Sequence, residues 1–149
     1  MTEYNFDVDI AKFVNKAIDN MDLAVKRIIT NTAFELTEES PIGDPSTWSI
    51  PALPDYTPGH FLLNWQLGVD RAPNNEIQGE DADRGNAITR IGAQIPKNAA
   101  SHNAYYIVNN ASYARELEDG YSGQAPKGWV EKTAMRFDSI VEKSVVGIK

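Results

Sequence analysis

The chain lacks cysteine, and that absence removes several chemistries at once. None of its 149 residues is a cysteine, so disulfides, thiolate nucleophiles and thiolate metal sites are excluded. Histidine is almost as scarce, because His60 and His102 are the only two. Neither belongs to an HExxH pattern or to another i, i+4 pair of ligands, so the sequence offers little support for a histidine-based metal site.

Basic residues and long apolar runs are also scarce in this sequence. The 14 basic residues are outnumbered by 21 acidic ones, and the net charge of −7 disfavours tight, direct binding of nucleic acid or of an anionic membrane surface. No stretch approaches the roughly 18 continuous apolar residues of a membrane span. The opening residues, MTEYNFDVDI, carry acids where a signal peptide needs a basic end. We expect a protein made in the cytosol, with no membrane partner.

The usual motifs for nucleotide binding and hydrolysis are missing as well. The sequence has no GxGxxG, no GxxxxGK[ST] and no GxSxG. The carboxylates of Glu116, Glu118 and Asp119 would suit acid–base chemistry or a hard cation. On a short helix these positions point in diverging directions, so a solvated face shared with Arg115 is the simpler interpretation. No catalytic residue, metal ligand or cofactor is predicted.

Apolar residues, by contrast, are plentiful and periodic. They make up 42% of the chain, which is enough for the core of one domain spanning residues 1–149. Their alternating steps of four and three predict an amphipathic helix from about Asp7 to the mid-thirties. We expect its apolar face to be core and to lie across a sheet or a broad groove, since further residues widen the stripe. The face contains Ile10, Val14, Ala17, Met21, Ala24 and Ile28, widened by Phe13, Ile18, Val25 and Ile29.

A proline-rich segment at residues 38–59 interrupts this pattern. It holds five of the eight prolines, which remove backbone donors and cannot continue a helix or a central strand. Loops longer than about 12 to 15 residues are uncommon unless they are functional or disordered. Trp48, Ile50, Leu53 and Tyr56 argue against simple disorder. Two interpretations stay open: an arm that reaches a neighbour, and a loop folded back over its own core.

The middle of the chain predicts a small sheet. HFLLNWQLGVD, residues 60–70, alternates apolar and polar residues as a strand does, with Phe61, Leu63, Trp65, Leu67 and Val69 on one face. Residues 71–86 predict an exposed acidic loop. Ala87–Ile95 predicts a short helix halted by Pro96, and the aromatic, β-branched run Tyr105–Asn110 predicts a second strand.

The end of the chain predicts a closing amphipathic helix with Pro126 at its start. The order of elements then implies an α+β domain: a small, mostly antiparallel sheet packed by a long N-terminal helix and a C-terminal helix, with a long proline-rich loop or arm. The apolar face of the closing helix comprises Val130, Ala134, Phe137, Val141, Val145 and Ile148.

The stretch from Tyr105 to Phe137, YYIVNNASYARELEDGYSGQAPKGWVEKTAMRF, carries a resemblance. It is similar to the C-terminal signature of a tailed-phage family of minor tail components and head–tail connection proteins, the neck or tail completion proteins. In that family a strand ending in paired asparagines leads into a PYA…LE.G.S.QAP.G.V element and a final helix. The matching residues are Asn109, Asn110, Tyr113, Ala114, Leu117, Glu118, Gly120, Ser122, Gln124, Ala125, Pro126, Gly128 and Val130.

The resemblance covers roughly the C-terminal third well and part of the centre. Gly59 with the pair Asn64 and Trp65 resembles the family's "TG…NW" strand. Two departures stand out: apolar residues 61–63 occupy positions where arginines are common, and Ser112 replaces a proline.

The resemblance implies a non-enzymatic structural protein of the virion, located at the head–tail joint. It implies a ring of identical copies, for which a hexamer is one candidate, through which DNA passes without specific binding. The expected neighbours are other neck and tail proteins: the connector or adaptor, the tail terminator and the tail tube. The residues expected to make these contacts are Asn109, Asn110, Tyr113, Glu116, Glu118, Gly120, Tyr121, Gln124, Pro126, Trp48 and Tyr56.

Other functions stay open beside this one. Within the same family, a tail terminator that caps the tail tube is the alternative. From a different class, a small carboxylate enzyme or ligand-binding domain would use Glu116, Glu118, Asp119 and His102, and would require these groups to converge in one pocket with shifted pKa values. A host-directed binding module would require a monomer with one exposed apolar patch.

Overall fold

The computed structural model describes residues 6–49, 51–52, 54–120 and 122–149, and side chains from residue 9 onward. Within them the chain forms six α-helices and a two-stranded antiparallel sheet, which confirms the predicted α+β class. Short 3₁₀ turns lie at Pro45–Thr47 and Ala99–Ser101. The helices are α1 Phe6–Glu38, α2 His60–Leu63, α3 Arg84–Gln94, α4 Ala114–Glu118, α5 Trp129–Met135 and α6 Phe137–Ser144; the strands are β1 Trp65–Val69 and β2 Tyr105–Asn109.

The core lies where the second half of α1 packs against α3, α5 and α6, with α3 also packed on β1. In the sheet, Trp65 pairs with Asn109 and Val69 pairs with Tyr105. Trp129 is fully buried and its indole N–H donates to the Leu36 carbonyl at 3.3 Å. The buried cluster comprises Ile29, Ala33, Leu36, Phe61, Leu62, Trp65, Leu67, Ile91, Ala111, Ala125 and Trp129.

The first half of α1 contradicts the prediction that its whole apolar face is core. Phe13 is 73% exposed and Met21 is 56% exposed, whereas Ile29, Ala33 and Leu36 farther along are buried. A helix of 33 residues is about 50 Å long. The elements that pack on α1 are much shorter, and they contact it mainly from residue 20 onward, through bonds such as Asn20 to the Lys149 carbonyl and the Ala100 N–H to Asp22. The first turns therefore extend beyond the body.

The predicted strand over residues 60–70 is wrong in its first half. Gly59 has a φ of +112°, a left-handed conformation that favours glycine, and the chain then turns helically, with the Leu63 N–H donating to the Gly59 carbonyl at 3.0 Å. Phe61 and Leu62, both buried, therefore belong to the short helix α2. Only Trp65–Val69 is a strand.

Helix α3 and strand β2 are both close to the prediction. β2 ends at Asn109, one residue early. α3 begins at Arg84, three residues before the expected start, because the Asp83 carboxylate accepts a hydrogen bond from the Asn86 N–H at 3.0 Å. The predicted exposed loop therefore ends at residue 83.

The closing helix is two helices and not one. The backbone leaves helical geometry at Arg136, where φ is −90° and ψ is 7°, and α6 starts at the next residue. Pro126 does not start the helix as predicted, since Gly128 is the N-cap of α5. Among the described helices, none has the length and apolarity needed to cross a membrane.

Candidate functional site

The proline-rich loop, residues 38–59, lies on its own chain in the part that the structure describes. The Gly59 N–H donates to the Ile42 carbonyl at 3.0 Å and closes the loop at its base. The Tyr56 hydroxyl donates to the Gly43 carbonyl at 2.9 Å, and the Trp48 ring meets the Tyr56 ring edge to face at 4.8 Å between centroids. Of the two open interpretations, these contacts correspond to the folded-back loop; Ile50 and Leu53 lie outside the described residues.

Gln124 fastens this loop to the signature segment, residues 109–130. Its Oε1 accepts the N–H groups of Ile42 at 3.1 Å and Gly43 at 3.0 Å. Its Nε2 donates to the Asp44 carbonyl at 3.0 Å and to the Thr47 hydroxyl at 2.8 Å. A glutamine amide offers two acceptor sites and two donors, so Gln124 is fully used within its own chain.

The two asparagines of the signature segment are also bound inward. Asn109 donates through Nδ2 to the Phe61 carbonyl at 2.8 Å, which ties the end of β2 to α2. Asn110 donates through Nδ2 to the carbonyls of Pro73 at 3.0 Å and Asn75 at 3.2 Å. The pair therefore holds the loop after β1 and helix α2 against the end of the sheet.

Glu118 links α4 to α5. Its carboxylate accepts the N–H groups of Val130 and Glu131, both at 3.1 Å, and its carbonyl accepts the Gly128 N–H at 2.8 Å. A carboxylate at a helix start satisfies donors that have no partner within the helix. Gly120, two residues after the last residue of α4, has a φ of +97°, the left-handed conformation common after a helix.

Between the loop and the signature segment lies a cavity of about 530 Å³. Its walls carry four aromatic rings, those of Trp48, Tyr56, Phe61 and Tyr113, and no acidic, basic or histidine side chain among the described residues. Burial raises the pKa of Tyr113 to about 12, so its hydroxyl stays protonated. The remaining lining residues are Pro41, Ile42, Gly43, Thr47, Ser49, Leu117, Ser122, Gly123 and Gln124.

The carboxylates considered for acid–base chemistry do not converge. Glu118 caps α5, as described, while His102 pairs through Nδ1 with Asp70 at 2.8 Å beside the other end of the sheet. Asp119 ends α4 and Glu116 is exposed on it. Within the described residues, no group of three or more His, Cys, Asp or Glu side chains is arranged to hold a metal ion.

One polar constellation was not predicted. His60 Nε2 lies 2.8 Å from Glu76 and Nδ1 lies 2.8 Å from the Gly79 carbonyl, while Glu76 also accepts the Ser112 N–H at 3.0 Å. The bond to Glu76 raises the pKa of His60, and the bond to His60 lowers the pKa of Glu76. No sequence signal marks this contact, because only the fold brings the separate residues together.

The predicted interface residues divide into two groups. Asn109, Asn110, Glu118 and Gln124 are bound within the chain, and Gly120 shapes a turn. A second group has side chains on the surface. It comprises Trp48, Tyr56, Tyr113, Glu116 and Pro126. Tyr121 lies outside the described residues.

In comparisons with known proteins, no family model, no curated protein and no solved structure matches the chain. The resemblance to phage neck proteins is therefore carried by the motif residues alone, and function is argued from the site.

Proposed function

We propose that the protein is a non-enzymatic structural component of a tailed phage. It would act at the virion's head–tail joint, as a neck or tail completion protein in the ring that joins the tail to the head connector. The resemblance of residues 105–137 to that family supports the identity of the protein, and the surface built by those residues supports a docking role.

One observation carries the proposal: the signature segment and the proline-rich loop are fastened into one unit that presents aromatic rings. Trp48, Tyr56 and Tyr113 are each more than a third exposed around the cavity. Aromatic side chains with a polar tip supply large contact areas at protein interfaces. The described lining has no ionisable acid or base for catalysis at neutral pH. Such a surface favours a protein neighbour over a reaction.

The charge of the chain supports the same role. A net charge of −7 disfavours tight binding to phosphate backbones, as expected of a channel through which DNA slides. The neighbours would be further copies of this chain together with the connector or adaptor, the tail terminator and the tail tube.

The location can be tested directly because the chain has no cysteine. A single Glu142→Cys substitution on the exposed side of α6 would accept a maleimide–gold label without competing thiols. Labelled chain supplied to assembling particles should appear by negative-stain imaging as gold at the head–tail joint. Gold that is absent from particles, or spread along the tail, would contradict the proposal. The cysteine-free chain treated with the same label is the control.

A further inference from the structure

The cavity between the proline-rich loop and the signature segment has an aromatic wall and no cation. Two pairs of rings line it: Trp48 meets Tyr56 at 4.8 Å between centroids, and Phe61 lies 6.2 Å from Tyr113. Trp48, Tyr56 and Tyr113 are 38% to 39% exposed, so part of each ring stays open to a ligand. Among the described residues, no lysine, arginine or histidine side chain lines the cavity.

Such a wall attracts cations. The face of an aromatic ring is negative, and a guanidinium or ammonium within about 6 Å of the ring centroid is drawn to it, most strongly by tryptophan. Arginine makes these contacts more often than lysine, because its planar guanidinium also stacks on the ring. Trp48 belongs to the proline-rich loop and Tyr113 to the signature segment, so a group in the cavity can contact rings from both.

The cavity also has room and hydrogen-bond acceptors for a long side chain. Its volume of about 530 Å³ lies within the roughly 300–1,000 Å³ of sites that enclose small ligands. Thr47, Ser49 and Ser122 place hydroxyl groups on the lining. A hydroxyl oxygen can accept a hydrogen bond from a guanidinium N–H.

The segments around the cavity are acidic. The proline-rich loop carries four acids and no basic residue. The signature segment has three acids and two basic residues, and residues 71–83 of the loop after β1 have four acids and one basic residue. The acids are Glu38, Glu39, Asp44, Asp55, Glu76, Glu80, Asp81, Asp83, Glu116, Glu118 and Asp119, and the basic residues are Arg71, Arg115 and Lys127.

The remaining cations beside these segments do not reverse this balance. Arg90 and His60 are each paired with an acid of the loop after β1, at 2.7 Å and 2.8 Å respectively. The His60 ring lies 6.1 Å from the Tyr113 ring but is not part of the lining. Even with Arg84, Arg90 and His60 all counted as charged, the acids outnumber the basic residues.

Two of these acids act on the aromatic wall itself. Burial raises the pKa of Tyr56, and the negative charge of Glu80 raises it further. Burial also raises the pKa of Tyr113 to about 12, with contributions from Tyr56 and Glu76. A negative potential that disfavours a phenolate favours a cation at the same place.

We propose that the cavity binds an arginine side chain presented on an exposed segment of a neighbouring protein. The guanidinium stacks on the open rings of Trp48 and Tyr113, and the surrounding acids favour its approach. This inference rests on the proposed function and deepens it, because it gives the chemistry of the neighbour's docking segment. A proline-rich segment can also fill an aromatic groove, but it gains nothing from the acids.

The probe for this site is a blocked glycine–arginine–glycine tripeptide added to the purified full chain. An NMR titration that follows the amide signals of Gly43 and Gln124, which both line the cavity, measures its affinity. The same tripeptide with citrulline in place of arginine has an uncharged urea of similar shape. It should bind about fivefold more weakly or worse, and added salt should weaken the arginine tripeptide alone.

Variants of the wall and of its surroundings separate the rings from the charge. Trp48→Leu should weaken binding of the arginine tripeptide about fivefold, and Trp48→Phe, which keeps a ring, should weaken it less. Glu80→Gln removes one acid and no ring, and should weaken the arginine tripeptide about twofold without affecting the citrulline one. Tyr106→Leu is the matched control, because Tyr106 is 40% exposed on β2 outside the cavity, and should bind as the wild type does.

Three results would overturn the proposal: equal affinity for the arginine and citrulline tripeptides, tighter binding of a blocked triproline, or no shift of the Gly43 and Gln124 signals with any of them. Gold at the head–tail joint without selective binding of arginine would reject this site and leave the proposed function standing. Selective binding without gold in particles would do the reverse.

Discussion

The signature segment differs from the exposed apolar face on the first half of α1 in how its side chains are used. That face, the exposed stripe, consists of Ile10, Phe13, Val14, Ile18 and Met21. The signature segment is rich in polar residues that look like recognition groups, yet Asn109, Asn110, Glu118 and Gln124 all bond within the chain. The exposed stripe has the periodicity of an ordinary core helix, yet its large side chains, Phe13 and Met21 among them, meet solvent. The polar motif bonds within the fold, and the apolar pattern of the first half of α1 is left in solvent.

The sharpest way to test this contrast is to truncate one aromatic residue in each region. Trp129→Ala removes a fully buried ring and its bond to Leu36, and should lower the free energy of unfolding by about 3–5 kcal/mol. Phe13→Ala should change it by less than about 0.5 kcal/mol, because the ring is largely in solvent. Urea unfolding of both variants, at a dilution where the chain is a single copy, makes the comparison. Equal losses would mean that the first half of α1 belongs to the core.

A smaller loss of stability is expected when the proline-rich loop loses its hydrogen bonds to Gln124. Gln124→Ala leaves the donors and acceptors of Ile42, Gly43, Asp44 and Thr47 without this partner, and should cost about 1–3 kcal/mol. Hydrogen exchange at residues 42 and 43 should speed up with it. Glu116→Ala, on the exposed face of α4, is the control and should be nearly neutral. Unchanged exchange in Gln124→Ala would show that the loop is held by other contacts.

Substitutions at two glycines of the signature segment form a matched pair, with a smaller expected effect on stability. Gly120→Ala puts a side chain at a φ of +97° and 3.2 Å from the Lys127 Cβ, and should cost about 1–2 kcal/mol. Gly123→Ala meets nothing within 4 Å and should have little effect. Thermal unfolding of the two variants measures the difference. Similar melting temperatures would mean that the turn after α4 rearranges freely.

The smallest effect should be a dependence of stability on pH from the His60 and Glu76 pair. The raised pKa of His60 means that its contribution is fully present below pH 6.5, the ordinary value, and is lost as pH rises through the folded pKa. The lowered pKa of Glu76 means that its contribution is present above pH 4.5 and is lost as pH falls through its folded pKa. Both contributions are therefore fully present between pH 4.5 and pH 6.5, the two ordinary values.

The variant Glu76→Gln tests this dependence of stability on pH. An NMR titration of the His60 ring should give a pKa closer to 6.5 in the variant than in the wild type, and Glu142→Gln, on α6, should leave it unchanged. A wild-type His60 pKa at or below 6.5 would contradict the contact between His60 on α2 and Glu76 in the loop after β1.

The sequence predicted the helices and strands that follow from local chemistry. The periodicity of α1 and the aromatic, β-branched run of β2 were sufficient to place both. The start of α3 was predicted three residues late, although Asp83 has the chemistry of an N-cap. The stretch His60–Leu63 was wrongly predicted as part of a strand, because alternation over a few apolar residues fits a strand as well as a turn of helix.

What the sequence could not supply were the long-range pairings. An amphipathic pattern says that a face is apolar, but not whether the rest of the chain reaches it, and Phe13 lies beyond that reach. Gln124 was predicted as an interface residue because it and its neighbours match a family motif. Its bonds to a loop some 80 residues earlier could be found only from the fold.

The most direct test of this account is the mass of the purified protein by light scattering over a range of concentrations. We predict that the wild type exceeds the 16.5 kDa of one chain. Phe13→Glu, which puts a charge into the middle of the exposed stripe, should return to that mass with its helical content unchanged. A Phe13→Glu variant that assembles as the wild type does would show that the exposed stripe takes no part in the contacts between copies. A wild type that stays at the mass of one chain at every concentration would contradict the proposed ring.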